Sequence, residues 1–409
     1  MAIPVLYISY DGMTDPLGQS QVIPYLIGLT HKGYSITLLS CEKPEAFEKN
    51  KSRISELLKA NGINWQPIPY TKKPPVLSTV YDVFQLKKKA LELHTTSNFS
   101  AVHCRSYIAA LVGLQLKEKY GVKFIFDMRG LWADERVDGK LWNLSNPLYK
   151  SVYRYFKNKE KQFLENADYT ISLTENAKQE IHQWSHIRNN PVKIAVIPCC
   201  ADLDLFNKQQ LDIAQKSRLA QELNIQPDDY VLLYLGSIGT WYMLEEMMEF
   251  FSVLKAQRKQ AKFLFVTKDE HERILQTAEK FGVANDIILR PGNRDEIPAL
   301  IALSHFSVFF ILPSYSKKAS SPTKQGEIMA MGVPVVCNTN VGDTDYIVEK
   351  YQSGILVRSF NREAYQDAVQ QMLSARFDEQ QIIAGAQEYF ALQNGVQKYA
   401  EVYAEILRN

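Results

Sequence analysis

In the stretch Ser320–Val336, "SSPTKQGEIMAMGVPVV", a lysine and a glutamate stand three residues apart, Lys324 and Glu327, ahead of an apolar run. On a helix that spacing puts both side chains on one face. Pro322 suits the first turn, so the helix is expected to begin near Pro322 or Thr323. An ammonium there, backed by the positive end of the helix, can meet a phosphate. A carboxylate one turn later can accept hydrogen bonds from two sugar hydroxyls. The competing reading is an i,i+3 surface salt bridge. It is weakened by "IMAMGVPVV", which sets the charges against apolar neighbours.

Other segments carry similar chemistry. "YDGMTDPLGQSQVIPYL" has Gly12, Pro16 and Gly18 in a loop after an apolar run, with Ser20 as the expected N-cap of the next helix. Asp11, Gly18 and Gln19 flank or belong to that loop. "HCRSY" and "DMRGLWADERVDG" place His103, Arg105, Asp127 and Arg129 at the ends of two further runs, with Asp134, Glu135 and Arg136 following in an expected loop. Ion pairs covering a sheet edge are the alternative; the meeting of several charges at strand ends facing the expected cleft favours a functional role. "LGSIGTWYMLEEMMEFF" has Gly236 and Gly239, which let a backbone approach a ligand closely, with the hydroxyls of Ser237 and Thr240. A tight turn that uses its glycines only for shape is the alternative. Trp241 and Tyr242 read as packing residues. In "VTKDE" and "LRPGNRDEIP", Thr267, Lys268, Arg290 and Gly292 follow later runs, and Asp295 is the expected cap of the next helix.

The elements that must hold these residues alternate. Short apolar runs such as "IPVLYIS", "SITLLS", "AVHC", "KFIFDM", "YTISL", "KIAVIP", "YVLLYLG", "KFLFVT", "DIILR", "FSVFFI" and "VPVVCN" are separated by amphipathic helical stretches. Continuous apolar strands are those of a parallel sheet covered on both faces. Two such series predict an α/β protein with two doubly wound, Rossmann-like domains facing a central cleft, with ligands beyond the carboxyl ends of the strands. The chain's 409 residues suit two domains. The expected boundaries are 1–198 for the first domain and 199–389 for the second, with a C-terminal helix at 390–409.

Composition excludes several classes. No run of eighteen apolar residues occurs, so no membrane span is expected. "MAIPVLYISYDG" lacks a basic region and a cleavage site, and reads as a first buried strand rather than a signal peptide. The five cysteines show no metal spacing and read as reduced core thiols of a cytoplasmic protein. No metal is expected. Net charge is +2 but uneven: residues 1–190 hold 25 Lys and Arg against 18 Asp and Glu, and residues 191–409 hold 22 against 27. That bias is too modest for a nucleic-acid partner. In "TKKPPVLSTVYDVFQLKKKALELH", Lys72, Lys73, Lys87, Lys88 and Lys89 accompany Val76, Leu77, Val80, Val83, Phe84 and Leu86. Such a segment can dock on an anionic membrane surface; an amphipathic core helix with a solvated lysine face is the alternative.

Ser320–Val336 resembles the donor-binding motif of retaining GT-B glycosyltransferases of family 4, which commonly carry E-x-M-A-x-G-x-P-V-V. Here the residues are Glu327-Ile-Met329-Ala330-Met-Gly332-Val-Pro334-Val-Val. "VIPCCADLDLF" resembles that family's interdomain link. "VGDTDYIVEKYQSGILV" resembles the next element, with Gly342 and Asp343 beginning a helix and Gly354 ending a turn. The final "GVQKYAEVYAEIL" resembles a helix that crosses back to the first domain. The resemblance implies a nucleotide-diphosphate sugar as donor, a glycan or lipid-linked acceptor in cell-surface polysaccharide synthesis, retention, no cofactor, and a place in the cytoplasm or at the inner membrane face. It implies that Glu327 holds the donor's ribose, and that Gly236, Ser237, Gly239 and Lys324 hold the diphosphate. Thr240, Thr267, Lys268, Arg290, Ser320, Ser321, Thr323 and Gly18 complete the expected donor contacts. Asp11, Gln19, His103 and Arg105 are expected on the acceptor side, and Asp127 and Arg129 beside the reacting groups. The sequence departs from the family at Ala319, where an earlier glutamate is usual, and after Gly236, where an arginine is usual. A non-catalytic nucleotide-sugar-binding subunit, or an epimerase or phosphorylase on the same fold, is the alternative reading.

Overall fold

The computed structural model describes residues 2–408. The chain divides into two compact units, Met1–Pro198 with Leu392–Asn409, and Cys199–Ala391. Among the described residues no helix is long and apolar enough to cross a membrane.

The first unit is built on seven parallel strands: β1 (Ile3–Ser9), β2 (Tyr34–Glu42), β3 (Asn64–Pro69), β4 (Ala101–Arg105), β5 (Lys123–Asp127), β6 (Tyr169–Ser172) and β7 (Ile194–Val196). Their order is β3-β2-β1-β4-β5-β6-β7. Val5 of β1 pairs with Ile36 on one side and Ala101 on the other. Val5, Leu6 and Ile8 are fully buried, as a central strand covered on both faces requires. The order reverses between β1 and β4, so the chain leaves those strands in opposite directions. Asp11 and Arg105 lie just beyond that switch point. The C-terminal helix Leu392–Leu407 belongs to this unit: Tyr403 Oη lies 2.8 Å from His103 Nδ1, and Tyr399 Oη donates to Asp127 at 2.9 Å.

The second unit has six parallel strands: β8 (Tyr230–Leu235), β9 (Ala261–Val266), β10 (Ile287–Arg290), β11 (Phe306–Phe309), β12 (Val335–Asn338) and β13 (Gly354–Val357), in the order β10-β9-β8-β11-β12-β13. Its switch point lies between β8 and β11, which brings the loop starting at Gly236 beside the segment leading to the helix Thr323–Ala330. All five cysteines are buried, and none forms a disulfide among the described residues.

Local expectations differ from the structure in five places. Ser20 is no cap: Pro16 opens the helix Pro16–Gln21, Asp15 precedes it, and Ser20 Oγ donates back to the Pro16 carbonyl at 2.9 Å. Asp134, Glu135 and Arg136 are not in a loop but in the helix Trp132–Asp138, whose acidic first turn suits the positive helix end. Asp295 does not cap the helix Ile297–Ile301; Glu296 stands at that position. Gly354 does not end a turn but opens β13, where a Cβ would strike the Val335 carbonyl oxygen at 1.9 Å. Leu86 does not share the outer face of the helix Leu77–Ser97 and is fully buried.

Candidate functional site

In the second unit, β8 delivers the chain into a loop with two glycines at positive φ. Gly236 has φ +105° and Gly239 φ +43°. The buried Tyr234 hydroxyl donates to the Ser237 carbonyl at 2.6 Å. Asp269, which follows β9, accepts from Ser237 Oγ at 2.8 Å and from the Ile238 N–H at 2.6 Å. Its own N–H donates to Thr267 Oγ1 at 3.1 Å. Asp269 therefore fixes the loop's shape, and the buried Thr267 supports Asp269 from behind. Lys268, Gly239 and Thr240 are exposed at the loop's surface.

Lys324 is the second residue of the helix Thr323–Ala330, and its ammonium reaches that loop. Its stem is partly solvated, but Nζ is out of contact with solvent and makes no hydrogen bond among the described residues. It sits 4.4 Å from the ring centroid of Tyr234 and 3.7 Å from that of Tyr242, positions where an aromatic face attracts a cation. Tyr242 is thus more than packing. Burial lowers the Lys324 pKa to about 7, against the pull of Glu327 and Asp269 in the other direction. A buried ammonium without an acceptor is costly, and an anion is the group that would relieve it.

The i,i+3 salt bridge of the competing reading does not form. Glu327 is 7 % exposed and accepts from Arg294 Nη1 at 2.6 Å. Arg294 itself lies over the Phe206 ring at 4.9 Å. Burial raises the Glu327 pKa and Arg294 opposes the rise. One carboxylate oxygen is thus taken by a half-exposed arginine. Gly326, on the same helix, admits Phe390 so closely that a Cβ would lie 2.6 Å from its ring, and this contact anchors the helix against the helix Glu379–Phe390.

The remaining expected donor contacts divide. Ser237 and Gly239 are in the loop facing Lys324. Ser321 Oγ accepts from the Cys199 N–H at 3.1 Å, a link that ties the helix approach to the start of the unit. Ser320 and Thr323 are half-buried beside it. Arg290 is diverted from the site: its guanidinium bonds Glu296 at 2.7 Å and Glu222 at 3.2 Å. Arg294, four residues on in the same loop, takes the place at Glu327.

In the first unit, the strand-end charges form one network. Asp127 is fully buried and its carboxylate meets Tyr399, His103 Nε2 at 3.4 Å and Arg129 Nη1 at 3.9 Å. Burial pushes the Asp127 pKa up, but Arg129 and His103 prevail and hold it below the usual range. Burial lowers the His103 pKa. Both residues serve the interior, holding the C-terminal helix to the sheet, and neither is at the surface where a ligand could touch it. Arg105 is buried as well: Nε donates to Asp11 at 3.3 Å, while Nη1 has no hydrogen-bond acceptor among the described residues. Arg129 and Ser106 hold left-handed backbones, φ +57° and +66°, a strain of the kind that collects at functional sites. Gly18 and Gln19 shape the loop after β1. A Cβ at Gly18 would strike the Gly12 carbonyl oxygen at 2.2 Å, and Gln19 Nε2 donates to the Thr14 carbonyl at 2.9 Å.

Three residues of these sites were missed in the sequence. Glu42 accepts from the N–H groups of Met13 and Thr14 at 2.7 and 3.0 Å and so pins the β1 loop. Asp269 and Arg294 stand within segments already singled out, one residue after Lys268 and four after Arg290. Only the tertiary contacts separate them from their neighbours.

Two family profiles match the chain. The one described as Glycosyl transferases group 1 matches residues 215–389, and Glycosyltransferase Family 4 matches residues 22–205. A D-inositol 3-phosphate glycosyltransferase of Segniliparus rotundus is 24 % identical over 335 residues, which span 76 % of this chain and 70 % of that protein. Among solved structures, a glycosyltransferase from Rickettsia africae superposes with a TM-score of 0.75 at 17 % identity, covering 100 % of this chain and 99 % of that one. Anabaena HepE in complex with UDP-glucose superposes with a TM-score of 0.72 at 14 % identity, covering 98 % and 100 %.

Proposed function

This chain belongs to the family 4-like glycosyltransferases of the GT-B fold, and from that premise we propose that it moves a sugar from a nucleotide-diphosphate donor to a glycan or lipid-linked acceptor, with retention. The observation that carries this reading is the Lys324 ammonium, buried with no hydrogen-bond acceptor among the described residues, beside the Gly236–Gly239 loop. The solved Anabaena relative holds UDP-glucose, which supports a nucleotide sugar as the donor here.

In the proposed reaction the bond from the anomeric carbon to the diphosphate breaks, and the acceptor oxygen bonds to the same face of that carbon. The acceptor's proton passes to the departing diphosphate. Negative charge grows on the diphosphate as the bond opens, and Lys324 would be the fixed cation that meets it. The loop after β8 would bring backbone close to the phosphates, with Asp269 holding its shape. Glu327, set by Arg294, would accept hydroxyl hydrogen bonds from the donor and orient it. Because Lys324 supplies the positive charge at the leaving group, the reading is of a metal-independent transfer. Arg105, with an uncommitted Nη1, is the proposed acceptor-side contact. A role in cell-surface polysaccharide synthesis at the inner membrane face completes the proposal.

The test is release of nucleoside diphosphate from a panel of nucleotide-diphosphate sugars, with and without chelator. Turnover that survives chelation and is lost in Glu327→Ala supports the reading. Binding of a donor without turnover on any acceptor extract would favour a non-catalytic subunit.

A further inference from the structure

The helix Leu77–Ser97 is inverted over its first half. Ser78, Asp82 and Leu86 face inward, and Asp82 is fully buried, accepting from the Tyr10 hydroxyl at 2.9 Å and the Thr71 N–H at 3.1 Å. Leu77, Val80 and Phe84, at i, i+3 and i+7, form the opposite face and are 67, 62 and 61 % exposed. A helix that hides its carboxylate and presents its apolar stripe to water is built to be covered.

Behind this face is a cavity of about 760 Å³, within the size range of small-molecule sites. Val83, Ile108 and Leu111 line it together with Trp132, Trp142 and Phe156. The aromatic wall is interlocked: Trp132 packs edge-on against Trp142 at 5.3 Å and against Phe156 at 4.8 Å. Leu141, Leu148 and Tyr155, from neighbouring segments, are exposed as well. The fully exposed charges beside the lining residues are basic, while Glu135 and Asp138 of the helix Trp132–Asp138 are only partly exposed. Lys72 lines the cavity, Lys73 and Lys88 flank the exposed stripe in sequence, and Lys140 and Lys150 adjoin the lining residues Leu141 and Tyr149; all five are exposed.

We infer that this cavity takes the hydrocarbon chain of an anionic membrane lipid, with the Leu77–Phe84 stripe entering the leaflet and the lysines meeting its headgroups. A flat protein partner would cover the stripe but leave the cavity empty; a chain fills it. The lysines select an anionic surface. The inference rests on the proposed place at the membrane face and adds which surface of the chain holds it there.

The experiment uses the full chain with vesicles of phosphatidylcholine, alone or mixed with phosphatidylglycerol carrying brominated chains, which quench tryptophan on contact. The protein should sediment with the anionic vesicles at low salt, leave them at high salt, and lose tryptophan emission when bound. In Trp142→Phe much of the quenching should disappear while sedimentation persists. In Leu77→Gln/Phe84→Gln, a pair of surface changes that leave the core untouched, both should be lost. Sedimentation without quenching would overturn the cavity assignment, as would equal binding to neutral vesicles or none at low salt. Calorimetry with the panel of nucleotide-diphosphate sugars runs alongside. Donor binding with no lipid signal removes only this inference, and quenching with no nucleotide sugar bound removes the transferase reading instead.

Discussion

A Cβ placed on Gly236 would come within 3.3 Å of Lys324 Nζ. Two constraints meet at that glycine: a backbone at φ +105°, and a lysine whose charged end must pass close to the chain. Gly236→Ala is expected to cost about 1–3 kcal/mol of stability from the backbone alone. It should also displace Lys324 and weaken nucleoside-diphosphate binding. Thermal melts with and without nucleotide separate the two effects. A variant that melts lower but binds the diphosphate normally would show that the glycine serves only the turn.

Lys324→Met should stabilise the free protein. The ammonium's pKa falls to about 7 on folding from an ordinary value of 10.5. Between those two values the unfolded chain binds more protons than the folded one, so the stability of the natural protein rises with pH across that window. Below it the burial cost is complete. The gain from methionine should therefore be largest below about pH 7, on the order of several kcal/mol, and should vanish above about pH 10.5. Denaturant unfolding at a series of pH values checks both the sign and the window.

Proton uptake on binding follows from the same residue. Near pH 8 most Lys324 side chains are neutral in the free protein, and a diphosphate favours the charged form. Calorimetric titrations in buffers of different ionisation enthalpy should report uptake of a fraction of a proton by the natural protein and none by Lys324→Met. Equal values in the two proteins would place the diphosphate elsewhere.

Arg294→Ala tests the pairing that replaces the Lys324–Glu327 bridge. Arg294 opposes the upward shift that burial imposes on Glu327, so its removal should move the acid limb of the transfer pH profile upward. Donor affinity should fall by about 1–3 kcal/mol if Glu327 loses its orientation. Arg294→Lys should restore part of both. A profile that does not move would mean that Glu327 acts without help from Arg294.

Much of the fold was legible because parallel strands covered on both faces advertise themselves as unbroken apolar runs. Two strands escaped. β3 reads "NWQPIP", an edge strand with two prolines that is only half-buried, and β13 reads "GILV", too short to stand out. The helix Trp132–Asp138 was hidden by its own charge density, since three charged residues in succession look like a loop until the apolar contacts of Ala133 are known. The site was legible as far as Lys324, Glu327 and the glycine loop, which lie in contiguous motifs. Arg294, Asp269 and Glu42 were not, because each acts through a partner 33, 31 or 28–29 residues away, and no spacing rule reaches across a β–α unit.

The most direct measurement compares a nucleoside diphosphate with its parent nucleoside, on the natural protein and on Lys324→Met, using the base that raises the melting temperature most. With Lys324 at the diphosphate, the variant loses about tenfold or more in affinity for the diphosphate and little for the nucleoside. Equal losses for both ligands, or none for either, would contradict the assignment of this buried lysine to the leaving group.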